Sequence, residues 1–451
     1  MFYFEDRVGP DFGADAPSYP DWTFPQWLKD AKFGIFVHWG LYSVPAFAET
    51  GDAPAPVEDA YRDHKYAEWY GNTVRIPGSS AEAYQRETFG PGTSYEDLAE
   101  LWTAESFDAA GCVELFRRAG ARYVVPTAKH HDGFCLWGTE TTGFNSVGRG
   151  PGRDLMAEFA TATRDAGLKF GCYFSGALDW HVSDLRAIDT DPDVFRLRRN
   201  DEDFARYAYN QASELVAKFA PDILWNDIEW PDGGKSAAEF GVAALFREYL
   251  AAVPEGIVND RWGVPSHGYL TREYSDIGLL SGKNWESCRG LGRSFGVNRR
   301  ETDADVLSVA EVVRHLVSVV SRNGNLLLNI GLNADGTVPA IYRDRLEGLG
   351  AWMDVNGEAI YGTRPFEGGL DDGAQDHFAL TVGPAATYLL VLDPAAELPA
   401  APVDTTGGRW LGAGAASEGF AVPEALKDSP VAVFAIRHAA GRAEIAPGHP
   451  A

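Results

Sequence analysis

From about residue 30 to 355, short apolar runs alternate with amphipathic segments, and the runs end in residues able to do chemistry. The runs are 32–40 (KFGIFVHWG), 123–133 (YVVPTAKHHDG), 169–176 (KFGCYFSG), 223–230 (ILWNDIEW), 257–262 (IVNDRW) and 325–331 (NLLLNIG). Between them, at 107–119, 155–166, 210–219, 239–253 and 306–320, apolar residues recur at three- and four-residue spacing, the period of a helix with one buried face. Strand and helix in alternation predict parallel strands joined by helical crossovers. A doubly wound sheet and a (β/α)8 barrel are both built that way, and periodicity does not separate them. The placement of polar groups does. No GxGxxG or Walker-type loop follows the first run, whereas polar groups collect at the carboxyl ends of at least five runs, as at the mouth of a barrel. The expectation is an α/β chain with a (β/α)8-like, TIM-type barrel, irregular because only six or seven strands are countable.

A last helical pattern at 340–355 runs into Asn356-Gly357, and the texture then changes. Gly-rich turns separate short apolar runs at 378–382, 387–392 and 431–436, the pattern of a small antiparallel β-sandwich, and the Ala/Pro-rich stretch 397–402 reads as a loop. The 451 residues therefore divide into a barrel over 1–360 and a sandwich over 361–451. A formal charge of −26 argues against nucleic acid and anionic membrane surfaces as partners and fits a neutral substrate. Four cysteines (Cys112, Cys135, Cys172, Cys288) without CxxC spacing offer neither a disulfide framework nor a zinc knuckle. No run of about 18 apolar residues exists. Residues 1–7 (MFYFEDR) lack the basic and apolar regions of a leader, so a cytoplasmic protein is expected. Oligomeric state has no readable code; a homo-oligomer is one assembly open to such a chain.

Side chains two apart on a strand share a face. Phe36 and His38 therefore lie together on the first strand, Tyr173 and Ser175 on the third, and Ile223, Trp225 and Asp227 on the fourth. His130 and His131 fall on opposite faces unless their strand has already ended, and Arg261 closes the fifth. His, His-His, Tyr, Asp and Arg at five strand ends suit a metal hydrolase or a glycosidase. Barrel metal sites usually present a His-x-His pair on the first strand; here that strand has only His38, and the fourth brings carboxylates without histidine, so no metal or other cofactor is expected. No GxSxG elbow appears either. A retaining glycosidase needs two carboxylates about 5 to 5.5 Å apart, one attacking the anomeric carbon and one protonating the leaving oxygen. Asp227, beside an indole in the Pro221-to-Pro231 segment, is the first candidate. Glu229, Glu273 and Glu286 compete for the second role. Alternation makes Glu229 lean the same way as Asp227 and flank it, whereas Glu273 sits in a later loop with the reach to oppose it.

At these residues the chain resembles the α-L-fucosidases of glycoside hydrolase family 29. The resemblance is carried over most of 22–365 by WLKDAKFGIFVHWGLYSVPA (27–46), AEWYGN (67–72), GARYVVPTAKHHDGFCLW (120–137), FNSV (144–147), GPGRDL (150–155), WNDIEWP (225–231), NDRWG (259–263) and NGNLLLNIGLNADG (323–336). It implies a retaining, exo-acting α-L-fucosidase that removes terminal fucosyl residues from glycosides. By the same resemblance Asp227 is the nucleophile and Trp225 the pocket indole beside it. His38, Glu68, Trp69, His130, His131, Tyr173 and Arg261 contact the sugar. Fucose carries a methyl group at C5, for which Phe36 and Phe295 offer an apolar wall. The acid/base varies among branches of the family; Glu273 in TREY is the best match, with Glu286 as the fallback. A metal-dependent hydrolase using His38, His130, His131 and Asp227, or a sugar-binding relative without catalysis, are the competing readings.

Overall fold

The computed structural model describes residues 17–51, 61–274, 283–367, 370, 373–413 and 420–438. The segment read for a leader and most of the acidic stretch 49–59 lie outside them. Eight strands form one parallel sheet: β1 (Phe33–His38), β2 (Tyr123–Lys129), β3 (Lys169–Ser175), β4 (Ile223–Asp227), β5 (Ile257–Val258), β6 (Leu270–Glu273), β7 (Trp285–Gly290) and β8 (Gly324–Gly331). Their order is β5-β4-β3-β2-β1-β8-β7-β6, a curled sheet whose ladder is open between β5 and β6. Other bonds cross that seam. Gly268 N–H donates to the Val258 carbonyl (2.9 Å), and the Thr271 amide and hydroxyl donate to Asp260 Oδ1 (3.0 and 2.7 Å).

Alternation sorts the side chains into two layers. Phe33, Ile35 and Val37 of β1, with Val124, Leu224, Leu326 and Leu328, pack outward beneath the helices. Phe36, Tyr123, Val125, Tyr173, Ile223, Trp225 and Leu327 fill the barrel interior. The covering helices are Ala109–Arg118, Leu155–Asp165, Glu202–Phe219, Val242–Ala252, Val309–Ser321 and Ala340–Asn356. Asp108, Asp154, Asp201 and Ser308 cap four of them by accepting from a first-turn amide.

Several boundaries differ from the sequence expectation. β2 stops at Lys129, β4 at Asp227 and β5 at Val258, each followed by a loop bearing functional groups. The helix expected at 210–219 begins at Glu202, behind the Asp201 cap. β6 (LTRE) and β7 (WESCRG) were not expected as strands, because both carry charged side chains where apolar ones are the usual signal.

C-terminal to the barrel, β9 (Arg364–Pro365), β10 (Phe378–Val382), β11 (Ala386–Val391), β12 (Arg409–Trp410) and β13 (Ala432–Arg437) form an antiparallel sheet in the order β12-β13-β11-β10-β9. Tyr388, Leu390 and Val433 on one face join the core that includes Trp352 and Met353 of the last barrel helix. Phe378, Leu389, Trp410 and Phe434 on the other are covered by loop residues such as Leu398, Val403 and Phe420.

Candidate active site

The carboxyl ends of the strands surround a cavity of about 420 Å³, within the size range of small-molecule sites. β1 delivers His38, whose Nδ1 lies 2.6 Å from Asn329 Oδ1 on β8. Asn329 Nδ2 in turn donates to the Phe295 carbonyl (2.7 Å), so one amide sets both the imidazole and the loop that brings Phe295 to the wall. Because β2 ends before them, His130 and His131 both turn into the cavity, with ring centroids 4.1 Å apart. Ser175 Oγ donates its single hydrogen to the Leu178 carbonyl (2.7 Å) and therefore accepts from His131 Nδ1–H (2.7 Å). That tautomer leaves His131 Nε2 as an acceptor, 3.7 Å from Asp227 Oδ2. His130 stacks on Tyr173, and its buried Nδ1 has no partner among the described residues. Burial pushes the histidines down: His38 to about 3, His131 to about 4, and His130 well below the usual imidazole range. All three are neutral at pH 7.

One guanidinium organises the acids. Arg261 donates from Nη1 to Asp227 Oδ1 (2.9 Å), from Nη2 to Glu273 Oε2 (3.2 Å) and from Nε to Thr271 Oγ1 (2.9 Å). Its Cζ stands 4.8 Å from the Trp225 ring centroid. Tyr173 donates to the other oxygen of Asp227 (2.9 Å). Burial alone would raise the Asp227 carboxyl. The charge of Arg261, joined by that of His131 only where acid protonates the imidazole, and the hydrogen bonds from Arg261 and Tyr173 outweigh it and hold the group below the usual carboxylate range. Glu273 moves the other way: burial raises it, and the Asp227 charge adds to the rise against the pull of Arg261. Its side chain is still 30% exposed at the mouth, against 12% for Asp227. Two carboxyls whose pKa values are displaced in opposite directions can divide the roles of anion and proton donor between them.

The alpha-L-fucosidase family model matches residues 10–358. The chain belongs to the alpha-L-fucosidase family. A Caenorhabditis elegans putative alpha-L-fucosidase is 35% identical over 365 residues, covering 79% of this chain and 70% of its own length. Human plasma alpha-L-fucosidase is 34% identical over 363 residues, with 78% and 72% covered. Among solved structures, Thermotoga maritima alpha-fucosidase in complex with fucose aligns at a TM-score of 0.80 and 40% identity, over 93% of this chain and 100% of that one. The family's chemistry, retaining hydrolysis of terminal α-L-fucosyl glycosides, displaces the metal-hydrolase and non-catalytic readings.

Within this fucosidase the cavity gathers Phe36, His38, Glu68, Trp69, His130, His131, Tyr173, Trp225, Asp227, Arg261, Glu273 and Phe295, all singled out in the sequence. Glu68 accepts from Gly296 N–H (2.8 Å) and Ser294 Oγ (3.1 Å), and burial lifts its carboxyl to about 7. Glu273 closes strand β6; it is not in a loop. The fallback acid Glu286 does not reach the cavity. On β7 it points into the barrel interior, where Tyr123 (2.8 Å), Trp225 Nε1 (3.0 Å) and Tyr269 (3.5 Å) donate to it. Glu229 also departs from expectation. Positive φ at Ile228 (55°) and Glu229 (65°) breaks the strand alternation, so Ile228 faces the cavity and Glu229 is buried against Arg198 and Lys235.

Sequence reasoning missed an aromatic rim. His64 stacks between Tyr61 and Trp69 with centroids at 4.8 and 5.2 Å, and Tyr66 donates to Glu273 Oε1 (3.5 Å). The signal was present as the aromatic interleaving of YRDHKYAEWY just before the family motif at Glu68 and Trp69. Among the described residues, no group of three or more His, Cys, Asp or Glu is arranged to hold a metal ion.

Proposed function

We propose that Asp227 is the nucleophile and Glu273 the acid/base of this alpha-L-fucosidase. The observation that carries the assignment is the shared guanidinium: Arg261 binds both carboxyls while their environments drive the pKa values apart. In the first step an oxygen of Asp227 attacks the anomeric carbon of the α-L-fucoside as the glycosidic bond breaks, and Glu273 gives its proton to the departing oxygen. In the second, Glu273 takes a proton from water, whose oxygen displaces Asp227 and releases fucose. Neutral His38, His130 and His131, with Glu68, receive the sugar hydroxyls. His131 Nε2 and Asp227 Oδ2, 3.7 Å apart, are both acceptors and stand ready for hydroxyl donors of the sugar. Phe36, Trp225, Phe295 and the Trp69 indole form the apolar wall for the ring and its C5 methyl group.

Replacing Asp227 by Gly is expected to lower turnover of an aryl α-L-fucoside by several orders of magnitude, with partial rescue by azide as an external nucleophile. Most of the activity surviving in that variant would remove Asp227 from the role. Glu273→Ala slows substrates with poor leaving groups far more than those with acidic phenols; equal slowing removes Glu273. The substrate class reads as a fucosylated oligosaccharide or glycoside. Self-association as a homo-oligomer is measured directly by light scattering. A cytoplasmic site of action is supported by four buried free cysteines and tested by fractionating cells that express the chain.

A further inference from the structure

β4 ends at Asp227, and the next two residues adopt left-handed backbone, Ile228 at φ 55° and Glu229 at φ 65°. A β-branched residue there is an outlier that persists only where the surroundings over-determine it. They do so in three ways. Glu229 N–H donates to the Arg261 carbonyl (3.0 Å), and Trp230 N–H to that of Trp262 (3.2 Å). Asn226 Nδ2 donates to the carbonyls of Glu229 and Arg261 (2.9 and 2.8 Å). The third set is ionic. Glu229 Oε2 lies 2.7 Å from Lys235 Nζ and 3.0 Å from Arg198 Nη2, with all three side chains 5% exposed or less. Arg198 Nη1 also donates to the Ile228 carbonyl (3.3 Å). The cations come from separate segments, Arg198 ahead of helix Glu202–Phe219 and Lys235 at the end of helix Asp232–Lys235. None of the three side chains lines the cavity, so the charges do not serve substrate binding.

We propose that Glu229, clamped by Arg198 and Lys235, is a positioning residue: a buried ionic latch that holds the turn after Asp227 in the shape that keeps its amide on the Arg261 carbonyl. The inference rests on the reading of Asp227 as nucleophile. Both ends of the reactive ion pair, Asp227 Oδ1 and Arg261 Nη1 at 2.9 Å, hang from backbone that the latched turn joins through its amides. Asp227 lies two residues before Glu229, and the Arg261 carbonyl takes the Glu229 amide hydrogen. The same turn aims Ile228 into the wall beside Trp69. The latch touches no reacting atom. Its effect passes through placement, where an error of about 1 Å costs on the order of a hundredfold in rate.

Glu229→Gln removes the charge and keeps the shape. Lys235→Met leaves Arg198 holding the carboxylate, and serves where the first variant does not fold. With an aryl α-L-fucoside, kcat is expected to fall about 10- to 100-fold while KM moves by less than about threefold. The acid limb of kcat/KM moves to higher pH, because Asp227 loses the close contact with Arg261 that favours its ionised form. Glu229→Asp, which retains the charge, recovers part of kcat. A folded Glu229→Gln with kcat within about twofold of the parent and an unmoved acid limb overturns the latch. A lowered melting temperature with native kcat in the folded enzyme overturns it equally, since the cluster is then a stability element alone. The underlying reading fails separately: Asp227→Gly would stay active, whatever Glu229 does.

Discussion

Replacing Arg261 by Lys keeps a positive charge at the barrel mouth and removes the planar fork. The native guanidinium donates at once to Asp227 (2.9 Å), Glu273 (3.2 Å) and Thr271 (2.9 Å) while lying 4.8 Å from the Trp225 ring centroid. An ammonium on a flexible stem is a point charge without that geometry. It will pair with Asp227, the more buried acid and the shorter contact. Glu273 then loses a charge-assisted hydrogen bond worth about 1.5–3 kcal/mol, and with it the orientation from which it delivers its proton. At about 1.4 kcal/mol per tenfold, kcat/KM falls roughly 10- to 150-fold. The loss is larger for poor leaving groups, which need the proton most. Arg261 is also the main influence pulling the Glu273 pKa down, so its withdrawal raises that pKa further and moves the basic limb of kcat/KM to higher pH. The assay is kcat/KM for a series of α-L-fucosides of graded leaving-group acidity, from about pH 4 to 9. A folded variant within about threefold of the parent on every substrate, with its basic limb unmoved, refutes the coupling of the two acids through Arg261.

Glu286→Gln tests whether that acid braces the barrel. Burial lifts Glu286 from 4.5 to about 7, against the hydrogen bonds of Tyr123, Trp225 and Tyr269. Between those values the folded chain keeps a proton that the unfolded chain has released, so this group's contribution to stability declines as pH rises through the window. The amide does not titrate. The melting temperature of Glu286→Gln relative to the parent should therefore climb from pH 5 to 7, by the equivalent of roughly 3 kcal/mol at most, and any loss of activity should not depend on the leaving group; a constant difference in melting temperature contradicts the assignment. Gly133→Ala should be strongly destabilising. Its Cβ would meet Asp179 Oδ1 at 2.2 Å at a φ of +81°, displacing the partner of Lys129, whose Nζ is 3.1 Å away in a fully buried pair. Thermal or urea melts should show a loss of about 3–5 kcal/mol, and native stability would mean that Asp179 yields freely. Dialysis against a strong chelator should leave kcat unchanged; a loss restored by a divalent cation would revive the metal-hydrolase reading.

The site was legible wherever a local rule decided it. Period-two alternation put Phe36 with His38 and Trp225 with Asp227, and the interior cluster holds Phe36, Ile223 and Trp225 together. The order of polar strand ends supplied the barrel, the reach of a later segment offered Glu273 as one of three acids, and the motif resemblance supplied Glu68 and Trp69 and favoured Glu273 over Glu286. Strands β6 and β7 were illegible because their polar residues are satisfied from far away in sequence. Glu286 on β7 takes hydrogen bonds from Tyr123 on β2 and Trp225 on β4, so a carboxylate that reads as loop is an interior strand residue. The seam has the same character: β5 spans two residues, and Asp260 completes the edge by accepting from the Thr271 amide and hydroxyl. No periodicity encodes a side chain standing in for a backbone carbonyl.

Where strand alternation gave the wrong direction for Glu229, two consecutive residues with side chains take positive φ. Alternation would have set Glu229 beside Asp227, two carboxylates on one face, and like charges that close disfavour joint ionisation. The chain avoids this by taking Ile228 and Glu229 through left-handed backbone, at a cost of about 1–3 kcal/mol for each residue. Glycine at either position would relieve that strain. Glycine would also surrender something at each: Ile228 supplies a piece of the cavity wall, and Glu229 supplies the buried anion between Arg198 and Lys235, beside the more exposed Asp232. Side chains retained against backbone preference mark where the surroundings, not the turn, dictate the residue. Here they leave Asp227 as the one carboxylate of its segment lining the cavity, with Arg261 beside it and Glu273 arriving from the far side of the seam.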